Sequence, residues 1–287
     1  MSIPDPTALP LSSTYPYQEA LVTAVTLARQ AGALLLDIHR RGPQRIERKS
    51  THFDLVTEAD VASQELILGV IRTRFPVDGI LAEEEGGSRN GSSGAVWIVD
   101  PLDGTTNFAH RYPAFTVSIG MWVNGRPELG VVQDVVREHT YWGAFGQGAW
   151  INQDRRLQVS QTGALQESLV ATGFPYSRAI NPDNNMAEYG HIMMRAQGVR
   201  QAGSAALELA LLADGRLDGY WEGHLSSWDY AAGVLLVSEA GGRVTGYDGQ
   251  PLQLGRHQVV ASNGPLHDSL WEAVRTARER AGLSIAS

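Results

Sequence analysis

Trp97-Ile98-Val99-Asp100-Pro101-Leu102-Asp103-Gly104-Thr105-Thr106-Asn107-Phe108 is the stretch on which the reading of this chain turns. The apolar lead-in predicts a buried strand that ends at Asp100. A Pro-Leu turn then delivers Asp103, and Gly104 with two threonines opens a helix. Hard divalent cations take oxygen ligands, and helix N-termini with small residues take anions. Side by side, these elements point to metal-assisted phosphate chemistry. Asp-x-x-Asp alone also reads as a solvated turn with Asp103 as a helix cap. The buried lead-in shifts the balance, because a carboxylate pair at the end of a buried strand needs a partner. The Leu102 carbonyl offers a third oxygen there, and Gly104 and Thr105 offer backbone N–H groups and a hydroxyl.

The composition narrows the classes. The chain has 287 residues, 43% hydrophobic and 19% charged, enough for one large or two small globular units. A net charge of −8 disfavours broad binding to nucleic acid or anionic membrane. With no cysteine there are no disulfides, thiolate zinc sites or Cys nucleophiles. No apolar run reads as membrane-spanning. Residues 1–16 carry four prolines and no signal-peptide pattern, and they read as a flexible tail. A cytoplasmic protein is the default expectation.

Working outward, helical periodicity runs over residues 17–39, stopped by Gly42-Pro43, and over 58–74, stopped by Phe75-Pro76. Residues 44–49 are strand-like. Short strands follow at 80–81 and 96–99, flanking a Gly/Ser-rich loop (86–94) expected to be mobile. Runs at 115–123 and 129–136 meet at Asn124-Gly125, a strong hairpin signal, and 140–145 extends them as a meander. The first half therefore reads as α+β with an antiparallel sheet. In the second half, strands at 169–171, 199–200, 219–221, 243–244 and 259–260 alternate with helices at 184–196, 205–213, 229–239 and 265–281. That pattern implies a layered α/β half. The boundary falls near 155–165, giving a tail (1–16) and two halves (17–160 and 161–287).

Other carboxylates have local readings. Glu83 is nearest a strand end and is the member of Glu83-Glu84-Glu85 able to turn inward; Glu84 and Glu85 read as solvated. Thr57 and Asp60 have the spacing of a capping box, with Asp60 also able to reach Thr105. Asp229 reads equally as an N-cap or a ligand. Glu222 stands at a strand end as a ligand or substrate contact. Gly203-Ser204-Ala205-Ala206 suits close packing or substrate approach. The eight histidines lack metal-ligand spacing and read as surface or structural, His224 least securely because it sits beside Glu222. There is no Gly-x-Ser-x-Gly elbow and no P-loop.

These residues resemble a family. WIVDPLDGTTNFAH (97–110) and WDYAAGVLLVSEAGG (228–242) look like the two signatures of the inositol monophosphatase family. DLVTEAD (54–60), LAEEE (81–85) and GSAAL (203–207) fall in the family's order and spacing, so the resemblance covers roughly residues 17–264. ATGFPY (171–176) looks like the bacterial branch. The resemblance implies a layered α-β-α-β-α sandwich of the inositol monophosphatase and fructose-1,6-bisphosphatase type. It also implies Mg2+-dependent, Li+-sensitive phosphomonoester hydrolysis, with two or three Mg2+ per site, Mn2+ as a substitute and Ca2+ as an inhibitor.

By matching position, Glu83, Asp100 and the Leu102 carbonyl hold a first metal. Asp100, Asp103 and Asp229 hold a second, and Glu83 contacts a weaker third. Asp60 and Thr105 orient the attacking water. Gly104 and Thr105 hold the phosphate, and Asp103, Ala205, Glu222 and Asp229 face the alcohol. Most metal ligands then belong to the first half and the substrate contacts to the second. A homodimer is implied, with a small phosphorylated polyol or alcohol as substrate, inositol 1-phosphate first. Histidinol phosphate, fructose 1,6-bisphosphate and nucleotide 3′-phosphates are the enzymatic alternatives. A non-catalytic role with RNA-processing machinery is the alternative of another class. One departure touches the substrate half: animal members carry a His where this chain has Ser226.

Overall fold

The strand that carries the two aspartates is β4 (Ala95–Asp103), and Trp97, Ile98 and Val99 within it are fully buried. The computed structural model describes residues 9–42, 46–48, 55–153 and 155–285. β4 runs parallel to β3 (Gly79–Ala82) and antiparallel to β5 (Thr116–Val123). It does not end at Asp100. Pro101 has no N–H for the ladder, so the strand continues through a register shift between Asp100 and Asp103. The expected turn is thus a bulge. Leu102 N donates to Asp100 Oδ1 at 3.0 Å, and Ser63 Oγ to the Pro101 carbonyl at 2.7 Å.

The sheet continues antiparallel through β6 (Arg126–Asp134), β7 (His139–Ala144), β8 (Gly148–Ile151) and β9 (Arg155–Arg156), making seven strands in the order β3 to β9. One face is covered by α1 (Gln18–Arg41) and α2 (Glu58–Arg74). The other meets α5 (Ala205–Ala213), α6 (Ser227–Tyr230) and α7 (Gly233–Glu239). Helices α5 and α7 also pack on a second, five-stranded sheet. It contains β10 (Leu169–Thr172), β11 (Gly198–Arg200), β12 (Gly219–Gly223), β13 (Arg243–Thr245) and β14 (Gln258–Ser262), in the order β11-β10-β12-β14-β13. Its outer side carries α8 (His267–Ala281), against which α4 (Met186–Met193) packs. The layers are therefore α-β-α-β-α. The second sheet is mixed: β10 is parallel to β11 and β12, while β14 is antiparallel to β12 and β13.

Several local expectations shift. Strand β1 (Ile46–Arg48) pairs antiparallel with β2 (Leu55–Thr57); residues 44, 45 and 49 of the strand-like run, and Asp54, lie outside the described residues. Of the tail, residues 1–8 are likewise outside, but Leu9 and Tyr15 are buried and the Tyr15 hydroxyl donates to the Glu128 carbonyl at 2.8 Å. The Gly/Ser loop is tied to β3 by reciprocal hydrogen bonds between Ile80 and Arg89, both 2.8 Å. Among the described residues, α1 is long and apolar enough to cross a membrane, with a window of mean hydropathy 1.4, which corrects the reading from run length. Its Leu21, Val25, Ala28 and Leu35 are buried in the core against the sheet.

Two glycines join the halves. Gly120 of β5 and Gly130 of β6 are cross-strand partners. A Cβ on Gly130 would stand 2.5 Å from the Ala232 carbonyl oxygen, and one on Gly120 3.2 Å from Ala231. The Ala231-Ala232 step therefore lies directly on bare backbone, and the single expected helix over 229–239 is broken there into α6 and α7. Trp122 Nε1 donates to the Ala231 carbonyl at 3.1 Å and pins the step. The Gly130→Ala variant is expected to lose about 1–3 kcal/mol of unfolding free energy in denaturant titration, by overpacking. Gly69→Ala, in open space on α2, should be neutral or slightly stabilising. An unchanged midpoint for Gly130→Ala would contradict the seat.

Candidate active site

Glu83, Asp100, Leu102, Asp103, Gly104, Thr105, Ala205, Glu222 and Asp229 all line one cavity of about 740 Å³. They arrive from separate elements. Glu83 follows β3, where its N–H reaches the Val99 carbonyl at 3.2 Å. Asp100 and Asp103 flank the β4 bulge. Asp229 comes from α6, seated by the glycine pair, and Glu222 from the end of β12.

Protein donors hold these carboxylates. Asp103 does not cap its own following helix α3 (Thr105–Ala109), whose N-cap Gly104 is left-handed at φ +95° and makes no side-chain cap. Asp103 Oδ2 accepts instead from Ser204 Oγ at 2.7 Å and Ala206 N at 2.8 Å, at the start of α5. Asp229 is not an N-cap either. It lies inside the first turn of α6 and accepts from Ser226 N at 2.7 Å. Asp60 does the same for α2: its Oδ2 accepts from Thr57 N at 2.8 Å and Thr57 Oγ1 at 2.7 Å, the capping box read from the sequence. Its other oxygen faces Thr105. Thr105 Oγ1 stands 3.1 Å from both Asp60 Oδ1 and the Leu102 carbonyl oxygen, and its single hydrogen can serve either.

The electrostatics follow from burial. Burial, then the charges of Glu83, Asp103 and Asp229, push the Asp100 carboxyl well above the ordinary range. Burial, then Asp103 and Glu83, does the same to Asp229. Asp103 is pushed up to about 6 by burial, against the lowering hydrogen bonds of Ser204 and Ala206. Asp60 is pushed up to about 7 by burial, opposed by its bonds from Thr57. Each carboxylate is thus costly as an anion and is made costlier by the others. Hard-oxygen donors under mutual repulsion are the set that a divalent cation relieves, so their chemistry fits one. Among the described residues, no three His, Asp or Glu side chains yet close around one point. Asp103 and Asp229 instead point an oxygen at helix N-termini.

Sequence reasoning missed four contributors. Glu208, 2% exposed on α5, lines the cavity and is raised well above its usual range by burial and then by Glu222. A lone charge in the apolar run Ala205–Ala213 was the available signal. Tyr220 donates its hydroxyl to Glu222 at 2.5 Å. Gly173 leaves room for that carboxylate, since a Cβ there would stand 2.3 Å from Glu222 Oε1. Burial pushes Glu222 up to about 7, against the bonds from Tyr220 and Gly173. Asn107 Nδ2 bridges the Ala114 and Ala202 carbonyls, each at 2.7 Å, fixing the approach of Gly203 to α3.

The profile of the inositol monophosphatase family matches residues 17–279. The chain is 43% identical over 265 residues to the inositol-1-monophosphatase of Synechocystis sp., covering 92% of each. It is 41% identical over 263 residues to Nus factor SuhB of Pseudomonas aeruginosa, covering 90% of this chain and 96% of that protein. Its fold superposes on the inositol monophosphatase structure from Anabaena with a TM-score of 0.81 at 45% identity, covering 90% and 96% of the two chains. For the Thermotoga maritima IMPase the TM-score is 0.83 at 33% identity, covering 92% and 100%.

A carboxyl whose folded pKa lies above its unfolded value stabilises the fold fully below pH ~4 and loses that contribution as pH rises through the folded pKa. With the rise of Asp103 to about 6 and Asp60 to about 7, stability in EDTA should fall between pH 4.5 and 8. Saturating Mg2+ at pH 8 should raise Tm by at least about 5 °C. A Tm in EDTA that climbs over that window, or ignores Mg2+, would contradict the site.

Proposed function

The chain belongs to the inositol monophosphatase family and is a phosphoric monoester hydrolase; we propose that it works with Mg2+ on a small phosphorylated polyol, inositol 1-phosphate first. The observation that carries this reading is the convergence of Glu83, Asp100, Asp103 and Asp229 on one cavity beside the Thr105–Asp60 pair. Glu83, Asp100 and the Leu102 carbonyl would hold one ion, and Asp100, Asp103 and Asp229 a second, with Glu83 also reaching a third. When bound, Mg2+ supplies Lewis acidity, making a water more acidic and offsetting phosphoryl charge.

The chain's own residues do the rest. A water that donates to Thr105 Oγ1 is aimed by it, and its proton passes through that hydroxyl to Asp60 Oδ1 as oxygen attacks phosphorus. Burial suits Asp60 to this task, because an acceptor pushed up to about 7 works near neutral pH. Gly104 and Thr105 hold the phosphate. The phosphorus–alkoxide bond breaks, and the departing oxygen takes a proton from water. Glu222, Ala205, Asp103 and Asp229 face the alcohol, with Glu222 accepting from its hydroxyls.

The same reading makes the protein a cytoplasmic homodimer. It has Mn2+ as a substitute ion and Li+ and Ca2+ as inhibitors, and takes its metals mostly from residues 17–160 and its substrate contacts from 161–287. The likeness to Nus factor SuhB fits the alternative, a non-catalytic role with RNA-processing machinery. The complete carboxylate set favours catalysis, because binding alone does not need it.

Phosphate release from inositol 1-phosphate, histidinol phosphate, fructose 1,6-bisphosphate and NADP, with and without Mg2+, tests the reading. Mg2+-dependent turnover that is highest on inositol 1-phosphate is expected; none on any substrate would overturn it. Asp103→Asn should stay folded, since Asn can still accept from Ser204, yet lose at least about 100-fold in kcat. Wild-type turnover at saturating Mg2+ would refute the ligand assignment. Asp60→Asn should lower kcat far more than it weakens Mg2+ binding by calorimetry. Equal loss of both would make Asp60 a ligand or merely a cap.

A further inference from the structure

The carboxylates of the cavity share its lining with a histidine that has a charged partner outside the site. His224 follows Gly223 at the end of β12, adopts a left-handed backbone at φ +63°, and lines the cavity two residues from Glu222. Outside glycine a left-handed backbone is uncommon, and Asn, Asp and His adopt it more readily than other residues. Its surroundings include a charge. His224 Nε2 stands 3.6 Å from Asp183 Oδ2. Asp183 is in turn clamped by both guanidinium nitrogens of Arg278, each at 2.8 Å.

Arg278 is itself an anchor. It is 2% exposed on α8, and it also donates to Glu188 at 2.6 Å and to the Ser284 carbonyl at 2.8 Å. Its guanidinium lies 5.1 Å from the centre of the Tyr247 ring. The hydrogen bonds from Arg278 hold the Asp183 carboxyl below its ordinary range, so it is anionic throughout the working pH. A chain of fixed charges thus runs from the outer helix layer to the substrate wall and ends on an imidazole.

We propose that His224 is a substrate-positioning residue, presented by the Arg278–Asp183 pair so that its ring binds a hydroxyl of the polyol. With the Nε2 side turned to the Asp183 carboxylate, the ring keeps that nitrogen as donor. Nδ1 is then the ring atom offered to a substrate hydroxyl. Glu222, an acceptor two residues away, lines the same cavity, so neighbouring hydroxyls of one ring can be read together. Such a pair discriminates against phosphate esters that lack those hydroxyls, because the polar groups then go unmatched. This inference rests on the hydrolase reading above.

The test is His224→Gly, a change that suits φ +63° and should therefore not lower Tm. Kinetics are compared on inositol 1-phosphate and on p-nitrophenyl phosphate, which has no hydroxyl. The ratio of kcat/KM between the two is expected to fall about 5- to 10-fold, chiefly through KM for inositol 1-phosphate. His224→Asn, which tolerates the left-handed backbone and keeps a polar group, should recover part of the loss. An unchanged ratio, or equal loss on both substrates, overturns the proposal. A penalty falling on fructose 1,6-bisphosphate but not on inositol 1-phosphate also overturns it, by assigning His224 to a second phosphate. Wild-type enzyme that cleaves none of these esters with Mg2+ would instead sink the hydrolase reading itself.

Discussion

Four carboxylates that repel one another in a low-dielectric cavity are the constraint on which the rest of this structure depends. Glu83, Asp100, Asp103 and Asp229 line the same space, and burial together with mutual charge raises the proton affinity of the three aspartates. Such crowding costs stability and persists only where the scaffold holds each group in place. The scaffold does so by giving the aspartates backbone donors: Leu102 N for Asp100, Ala206 N for Asp103 and Ser226 N for Asp229. In each case the fixed partial charge of a turn or helix start partly offsets the carboxylate. The full offset calls for a divalent cation.

The fold serves that constraint at two points. The Pro101 bulge lets one strand present two aspartates without leaving the sheet. The bare backbone of Gly120 and Gly130 lets the Ala231-Ala232 step settle on β5 and β6, which brings Asp229 of α6 alongside β4. Because the middle helix layer packs against both sheets, the site is shared between them. Any change in how α6 sits on the first sheet is felt at Asp229, one of the four carboxylates of the cavity.

Much of this was legible in the chain. The apolar lead-in to Asp100 announced a buried strand. The spacing of Thr57 and Asp60 announced a capping box, and Asn124-Gly125 announced the hairpin that the structure contains. The missed features share a cause: they are long-range choices that local rules cannot see. Taken alone, Asp103 also read as the cap of the next helix, yet it serves a helix start about a hundred residues later in the chain. Gly120 and Gly130 looked like ordinary strand glycines, because what rests on them comes from the other half. A continuous apolar pattern over 229–239 hid the break between α6 and α7, and βα alternation gave no hint that β14 runs antiparallel to its neighbours. His224 stood out only for sitting beside Glu222, since its partner Asp183 is distant in sequence.

The most direct test of the central claim is anomalous diffraction from crystals soaked in Mn2+, a redox-quiet stand-in for Mg2+ with its own X-ray signal. The account predicts anomalous peaks inside the cavity, with Asp100 ligating alongside Glu83 at one and alongside Asp103 and Asp229 at another. A cavity without a peak at saturating Mn2+, its aspartates still held by Leu102, Ser204, Ala206 and Ser226, would contradict it.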